Sequence, residues 1–439
     1  MKSLAPIARK TTAPEQELLA VPLEIEREYV SKRGVSLDVF TRARRFLPGA
    51  ETRSVTHYAP FPSVIDSASG SRLVDVDGNQ YLDVLNNYTS LVHGNGFEPV
   101  TERIVPLLSE GLAFASIHRE QIGLAERICS RVESVELVRF TNSGSEASAL
   151  AVRIARRATG RRQIITAEGG YHGSVPPFMA GEPDVVRVSY NDVQSLQSAV
   201  TDKTAAVFLE PFLGAGGVIP GTAEFLRAAQ ETARAHGALF VLDEVQSLRN
   251  ALGGMQGELS LTPDLTILGK IIGGGFPIGA VCGRAAIMEL MSPFTSDRLE
   301  HAGTFNGHLA AVAAGSIALD YLDADAIEKL NQQAAALAGS ITSAARSIGV
   351  PVQVSRSGSI LNIHPLAVPE QAAESIHFPA FRKTLHLCLL LEGVYSATRG
   401  MINLSTALSA ADLDDVAAGY QRAFERIAQH PALLDPSQR

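Results

Sequence analysis

The chain has 439 residues, 46% of them hydrophobic, enough to bury a large core and to build two domains. Its 38 Lys+Arg stand against 46 Asp+Glu, a formal net charge of −8, with no basic block of the kind that tracks a phosphate backbone, so nucleic acid is not an expected partner. Cys129, Cys282 and Cys388 lie too far apart for a CxxC metal pair or a disulfide framework, and no apolar stretch is long enough to span a bilayer. A cytoplasmic protein without membrane attachment or bound metal is the expectation.

The opening "MKSLAPIARKTTAP" has no hydrophobic region of signal-peptide length and reads as a loose extension. Further on, "LPGAETRSVTHYAPFP" sets Arg53 among glycine, proline and aromatics, and "VLNNYTSLVHG" (84–94) contains Tyr88. In "RFTNSGSEASALAVRIARRATG" (139–160) a small polar turn opens into a helix ended by Gly160. The N–H groups of Gly144 and Ser145 at that N-terminus suit an anion. The same letters also describe an ordinary N-cap by Asn142 or Ser143 completed by Glu146. In "EGGYHGS" (168–174) Tyr171 is flanked by glycines, either as a ring that stacks on a flat ligand or as part of a surface turn.

The middle of the chain alternates short apolar runs with helical patterns. "AAVFLE" (205–210), "ALFVLDE" (238–244) and "LTILG" (265–269) are continuous apolar segments of the kind buried on both faces of a parallel sheet. Between them lie "TAEFLRAAQETARAHG" (222–237), with helical spacing and a closing glycine, and the looser "VQSLRNALGGMQGELSLTPD". Strand, helix, strand predicts an α/β domain with right-handed crossovers and its ligand at the C-terminal strand ends. Towards the C-terminus, helical "AAALAGSITSAARSIG", strand-like "SGSILNIHPL" and the amphipathic "SAADLDDVAAGYQRAFERIAQH" predict a smaller α+β domain.

Lys270 follows "LTILG" and so stands at the ligand-bearing end of a core strand. Desolvation there makes a neutral amine available as a nucleophile, although an arbitrary lysine more often snorkels to the sheet edge. Asp243 ends another core strand one strand–connection–strand unit earlier. The two could form a plain salt bridge, or address one cofactor from two sides. Pyridoxal phosphate needs such a pair: an amine for a Schiff base, and a carboxylate that keeps the pyridine nitrogen protonated. Val245 could then press on one face of the ring.

Together, "TNSGSEA", "YHGS", "FLEPF", "LDEVQS", "LGKIIGGGFPIGA" and "AGTFNG" resemble the class III aminotransferases of the pyridoxal-phosphate fold type I group, over roughly residues 38 to 430. The resemblance implies a large domain with a mostly parallel seven-stranded sheet (81–330) and a smaller α+β domain formed by N- and C-terminal segments (1–80 and 331–439). It implies that Lys270 anchors the cofactor and moves protons as a general acid/base, with Asp243 as its pyridinium partner. Ser143, Gly144, Ser145, Tyr171, His172, Glu210 and Val245 would complete the cofactor site. Thr304 of "AGTFNG" would reach the phosphate of a neighbouring subunit, which implies a homodimer with composite sites. Ser145 stands where threonine is common, Gln246 occupies a variable place, and His308 after "FNG" is given no catalytic role.

Within that family the N-terminal stretches look like the β-amino-acid aminotransferase branch near glutamate-1-semialdehyde aminomutase. The resemblance implies that Arg53 grips a substrate carboxylate, that Arg399 of "YSATRGMINLS" serves the α-keto-acid acceptor, and that Tyr88 lies near the substrate. For any single arginine a surface role remains the default. Three functions follow in order: a transaminase acting on a β-amino acid or related amine with 2-oxoglutarate or pyruvate as acceptor; an intramolecular 2,1-aminomutase; and a cofactor-free protein that keeps only the fold.

Overall fold

The computed structural model describes residues 21–365 and 379–434; the opening extension, and the end of "SGSILNIHPL" beyond Pro365, lie outside them. In chain order the strands are β1 (Ile65–Ser69), β2 (Arg72–Asp75), β3 (Gln80–Asp83), β4 (Leu137–Thr141), β5 (Gln163–Ala167), β6 (Val185–Val188) and β7 (Thr204–Leu209). A small hairpin, β8 (Phe212–Leu213) and β9 (Ile219–Pro220), precedes β10 (Leu239–Asp243), β11 (Leu265–Gly269) and β12 (Gly279–Gly283). The C-terminal part contributes β13 (Val352–Ser357), β14 (Ile360–Pro365), β15 (Val394–Tyr395) and β16 (Met401–Asn403).

Seven strands form the central sheet in the order β4-β12-β11-β10-β7-β5-β6. It is parallel except for β12, which runs antiparallel to both β11 and β4. The apolar runs become strands because alternate side chains enter two different cores. Phe208, Val241 and Ile267 join the cluster under the helix Gly144–Thr159, while Val207, Leu209, Phe240 and Leu242 join the one under the helix Ala223–Ala235. Strands β7, β11 and β12 are buried along their whole length, as a sheet covered on both faces requires.

The seven-stranded, mostly parallel sheet that the resemblance implied for the large domain is present. The helix read over 222–237 forms over Ala223–Ala235, its N-terminus capped by Thr222, whose hydroxyl accepts from Phe225 N at 3.1 Å. The looser helical pattern after Asp243 does not become a crossover helix. It yields a single 3₁₀ turn, Leu248–Asn250, and the four-residue helix Met255–Glu258. Here Glu244, fully buried, accepts from Met255 N at 3.0 Å and Gln256 N at 2.8 Å, so a side chain satisfies donors that a longer helix would have paired internally.

Strands β1, β2, β3 and β15 form one smaller sheet and β13, β14 and β16 another. The first joins the two ends of the chain, since β15 pairs with β3 in parallel. Strand β3 crosses the boundary expected at 80/81, and the helix Ala324–Ile348 runs through the one expected at 330/331. No helix among the described residues is long and apolar enough to cross a membrane.

Candidate active site

The C-terminal ends of β4, β10 and β11 converge on a cavity of about 480 Å³ lined by Ser143, Gly144, Ser145, Asp243 and Lys270 among others. Lys270 begins a 3₁₀ turn with φ +50°, a left-handed conformation that non-glycine residues seldom adopt outside functional sites. The turn is held by close packing: a Cβ on Gly274 would lie 2.4 Å from the Ala314 carbonyl oxygen, and one on Gly315 would lie 1.8 Å from that of Ile272. Gly274 on the turn and Gly315 on the buried helix Leu309–Tyr321 therefore let the two pack closely.

Burial holds the Lys270 amine down to about 8, with the charge of Arg399 acting in the same direction and Asp243 and Glu210 opposing it. The plain Lys270–Asp243 salt bridge is not formed. Asp243 instead pairs with His172, whose Nδ1 lies 2.8 Å from Oδ2, while its Oδ1 accepts from Val245 N at 3.1 Å. An ionised Asp243 requires the His172 proton on Nδ1, which leaves Nε2 to accept from the Thr166 hydroxyl at 3.0 Å.

Opposite helix chemistry meets this pair. Ser143 caps the helix Gly144–Thr159 by accepting from Glu146 N at 3.2 Å, and the Glu146 carboxylate accepts from Asn142 N at 2.9 Å. The N-cap and the anion-binding reading are thus compatible, because capping uses the Glu146 amide and leaves the first-turn N–H groups of Gly144 and Ser145 without an intrahelical acceptor. The buried Ser148 hydroxyl, one turn further on, lines the cavity without a hydrogen-bond partner. The "YHGS" loop is seated on this turn, since Gly173, at φ +106°, leaves room for Ser145 Oγ only 2.5 Å from where a Cβ would stand.

Glu210 anchors the same loop, accepting from Tyr171 N at 2.9 Å and Gly214 N at 3.1 Å, and burial raises its carboxyl to about 7. Tyr171 itself remains half exposed, and Val245 packs against Gly144. Arg53, exposed at the rim, donates to Asn87 Oδ1 at 2.8 Å, and Tyr88 donates to the Val55 carbonyl at 2.8 Å. Asn86, Asn87, Tyr88 and Thr89 all have positive φ, a left-handed turn that concentrates strain at the rim. Arg399 does not line the cavity; its guanidinium lies over the Tyr88 ring, 5.3 Å from the centroid.

Thr304 is the exception. It is exposed and lies beside Phe114, His118 and Gln121 in a separate small recess, and the "AGTFNG" loop is tied to the site through Asn306 Oδ1, 3.0 Å from Asn142 Nδ2. His308 precedes the helix Leu309–Tyr321 and lines that recess instead of the cavity. Gln246, noted in the sequence only for its variable place, and Ser148, not singled out there, also belong to the site. Both line the cavity with an unpartnered oxygen, and position alone signalled them: Gln246 follows "DEV" and Ser148 follows the capped turn by one helical turn.

The residues present fit pyridoxal phosphate: a helix N-terminus and orphaned hydroxyl for the phosphate, a buried carboxylate, an aromatic face and a lysine with a depressed pKa share one cavity. Fold and site thus define a pyridoxal-phosphate-dependent transferase.

The sequence matches the aminotransferase class-III family over residues 54–185 and 176–415. It is 36% identical over 420 residues to a β-phenylalanine transaminase of Variovorax paradoxus, covering 93% of this chain and 96% of that one. A glutamate-1-semialdehyde 2,1-aminomutase of Rhodopirellula baltica is 36% identical over 356 residues, covering 75% of this chain and 81% of its own. The crystal structure of a β-phenylalanine aminotransferase from Variovorax paradoxus superposes with a TM-score of 0.88 at 34% identity, over 95% of this chain and 98% of that one. The chain belongs to the class III aminotransferases and is a pyridoxal-phosphate-dependent transaminase.

Proposed function

We propose that the chain transfers an amino group from a β-amino acid, or a related amine, to an α-keto acid such as 2-oxoglutarate or pyruvate. The observation that carries this is Arg53 lining the same cavity as Lys270, with its guanidinium on a neutral partner, Asn87, rather than on a carboxylate of the protein. A planar fork so placed suits bidentate binding of a substrate carboxylate. The likeness to β-phenylalanine transaminase supports the same donor class.

Pyridoxal phosphate, when bound, supplies the carbonyl carbon that condenses with amines and the ring that draws electrons from the substrate carbon. Lys270 Nζ would hold it, and the same amine would be the group placed to take up and return a proton at the carbon that bears the substrate's amine. Asp243, oriented by His172 and Val245 N, would hold a proton at the ring nitrogen. Ser143, Gly144, Ser145 and Ser148 would receive the phosphate and Tyr171 and Val245 would flank the ring, while Glu210 fixes the Tyr171 backbone. Arg53 orients the donor carboxylate beside Tyr88, and Arg399 serves the acceptor's α-carboxylate. Thr304, exposed and outside the cavity of its own chain, completes the site of a second copy in a homodimer.

The test is single-turnover absorbance of the yellow holoenzyme with a β-amino acid, an α-amino acid or a simple amine, and no acceptor. Bleaching by the β-amino acid, restored by 2-oxoglutarate or pyruvate, is expected. Bleaching only by other amines removes the β-amino-acid assignment. Steady turnover of glutamate-1-semialdehyde without any acceptor would establish the aminomutase, to which the Rhodopirellula relative lends its likeness.

A further inference from the structure

Asn86, Asn87, Tyr88 and Thr89 stand at φ +46°, +46°, +56° and +78°, and Asn87 and Tyr88 have ψ of 52° and 53°. Non-glycine residues visit this left-handed region singly, not as a turn, and a β-branched threonine there is an outlier. Four in succession are strain that the surroundings must hold in place, and Asn87 and Tyr88 line the cavity that holds Lys270. The anchors come from both ends of the chain. Asn86 N donates to Asp83 Oδ1 at 2.7 Å and Asn86 Nδ2 to the Asn403 carbonyl at 2.6 Å, while Asn403 Nδ2 donates to the Leu85 carbonyl at 3.0 Å. Asp83 ends β3, and Asn403 ends β16, the strand that Arg399 leads into.

The hand of the turn determines where two adjacent side chains point. Successive residues of a helical turn lie about 100° apart, and reversing the hand moves the second to the opposite side of the first. Here Asn87 meets Arg53, and Tyr88 meets Arg399, whose guanidinium lies 5.3 Å from the ring centroid. Asn87 Nδ2 donates to Ser90 Oγ at 3.0 Å, which turns its Oδ1 to Arg53 Nη1 at 2.8 Å. Both contacts leave the cation available. A neutral amide orients Arg53 through one N–H, and an aromatic face holds Arg399 without occupying the in-plane N–H groups that a carboxylate needs. Arg399 also donates to Met401 Sδ at 3.4 Å, and neither arginine is paired with a protein carboxylate among the described residues.

We propose that Asn87 and Tyr88 are the positioning residues of the two half-reactions: Asn87 aims Arg53 at the donor carboxylate, Tyr88 aims Arg399 at the keto acid, and the left-handed turn keeps the two in register. The inference rests on the roles assigned above to Arg53 and Arg399 and adds what holds them there. Adjacent positions on one strained turn thereby serve two acids that occupy the site alternately.

The test follows the yellow holoenzyme through single turnovers: bleaching by a β-amino acid, bleaching by the corresponding amine without a carboxylate, and recolouring of the bleached enzyme by 2-oxoglutarate or pyruvate. Asn87→Ala is expected to slow bleaching by the β-amino acid roughly tenfold relative both to the plain amine and to recolouring. Asn87→Asp should lower the same ratio about a hundredfold, as far as Arg53→Ala, because its ion pair with Arg53 competes with the substrate carboxylate. Asn87→Gly keeps the left-handed backbone while removing the amide; it carries the test should Asn87→Ala not fold, and should give the same ratio. Tyr88→Leu is expected to recolour about tenfold more slowly than Tyr88→Phe, which keeps the ring. Losses shared equally by all three rates, or equal recolouring by the two Tyr88 variants, would overturn the proposal. So would a wild-type ratio in the Asn87 variants while Arg53→Ala lowers it, an outcome that leaves the donor reading standing. A wild-type ratio in Arg53→Ala would overturn both.

Discussion

Asp243 Oδ2 lies 2.8 Å from His172 Nδ1, and the far side of that imidazole is closed by the Thr166 hydroxyl at 3.0 Å. The carboxylate at the end of β10 is therefore oriented by a chain of two side chains from β5 and the loop that follows it. Asp243→Asn removes the negative charge but keeps the shape, and should lower kcat on the order of a hundredfold and loosen the cofactor. Near-normal single-turnover rates and undiminished cofactor content after dialysis would remove Asp243 from this role. His172→Phe preserves the ring contacts with Phe178 and Phe208, so its loss should be smaller, roughly tenfold.

Lys270→Met should abolish both turnover and the borohydride-reducible link to pyridoxal phosphate, which mass spectrometry of the reduced protein reads directly. The same variant has a stability signature in the cofactor-free protein. Its amine titrates near 8 in the fold against 10.5 when exposed, so between those values the unfolded chain binds more protons and wild-type stability rises with pH. Below about 8 the penalty is complete. Lys270→Met should then be more stable than wild type by up to about 3 kcal/mol, with the difference shrinking as pH rises towards 10.5. A difference that does not depend on pH would show that Lys270 is not desolvated.

Arg53→Ala should reduce kcat/KM for a β-amino acid by about a hundredfold, the scale of one lost charge-assisted bidentate contact, and leave a simple amine nearly unaffected. Arg53→Lys should recover only part of that, because a point charge cannot reproduce the fork. Steady-state kinetics with the paired donors decides it. Equal losses for both would make Arg53 structural.

Gly315→Ala places a methyl 1.8 Å from the Ile272 carbonyl oxygen, a backbone atom that cannot yield without moving the turn that starts at Lys270. A destabilisation of about 2–3 kcal/mol by denaturant unfolding is expected, together with a slower reaction of Lys270 with added cofactor. Gly339→Ala, where nothing stands within 4 Å of the new atom, is the control and should be neutral or slightly stabilising.

Much of the large domain was legible from local patterns. Continuous apolar runs at 205–210, 238–244 and 265–269 became strands within a residue of their expected limits, because a strand buried on both faces must be apolar throughout. Lys270 and Asp243 could be placed at strand ends for the same reason, and Ser143 with Glu146 declared the helix start. The segment after Asp243 misled, since its residues have helical spacing while their backbone donors are taken by Glu244.

What the sequence determined by itself, then, was the identity and order of the chemical groups and the elements that carry them. Those depend on interactions within a few residues. The tertiary structure decided which groups meet. Strand β12, unread in the sequence, inserts antiparallel between β4 and β11 and so sets the turn that opens the helix Gly144–Thr159 beside Lys270. His172 and Asp243 pair across 71 residues, Arg399 reaches Tyr88 from the other end of the chain, and Thr304 lines a recess separate from the cavity that holds Lys270. Contacts of that kind follow from which sheet edges and helix faces pack together, and no local periodicity records that choice.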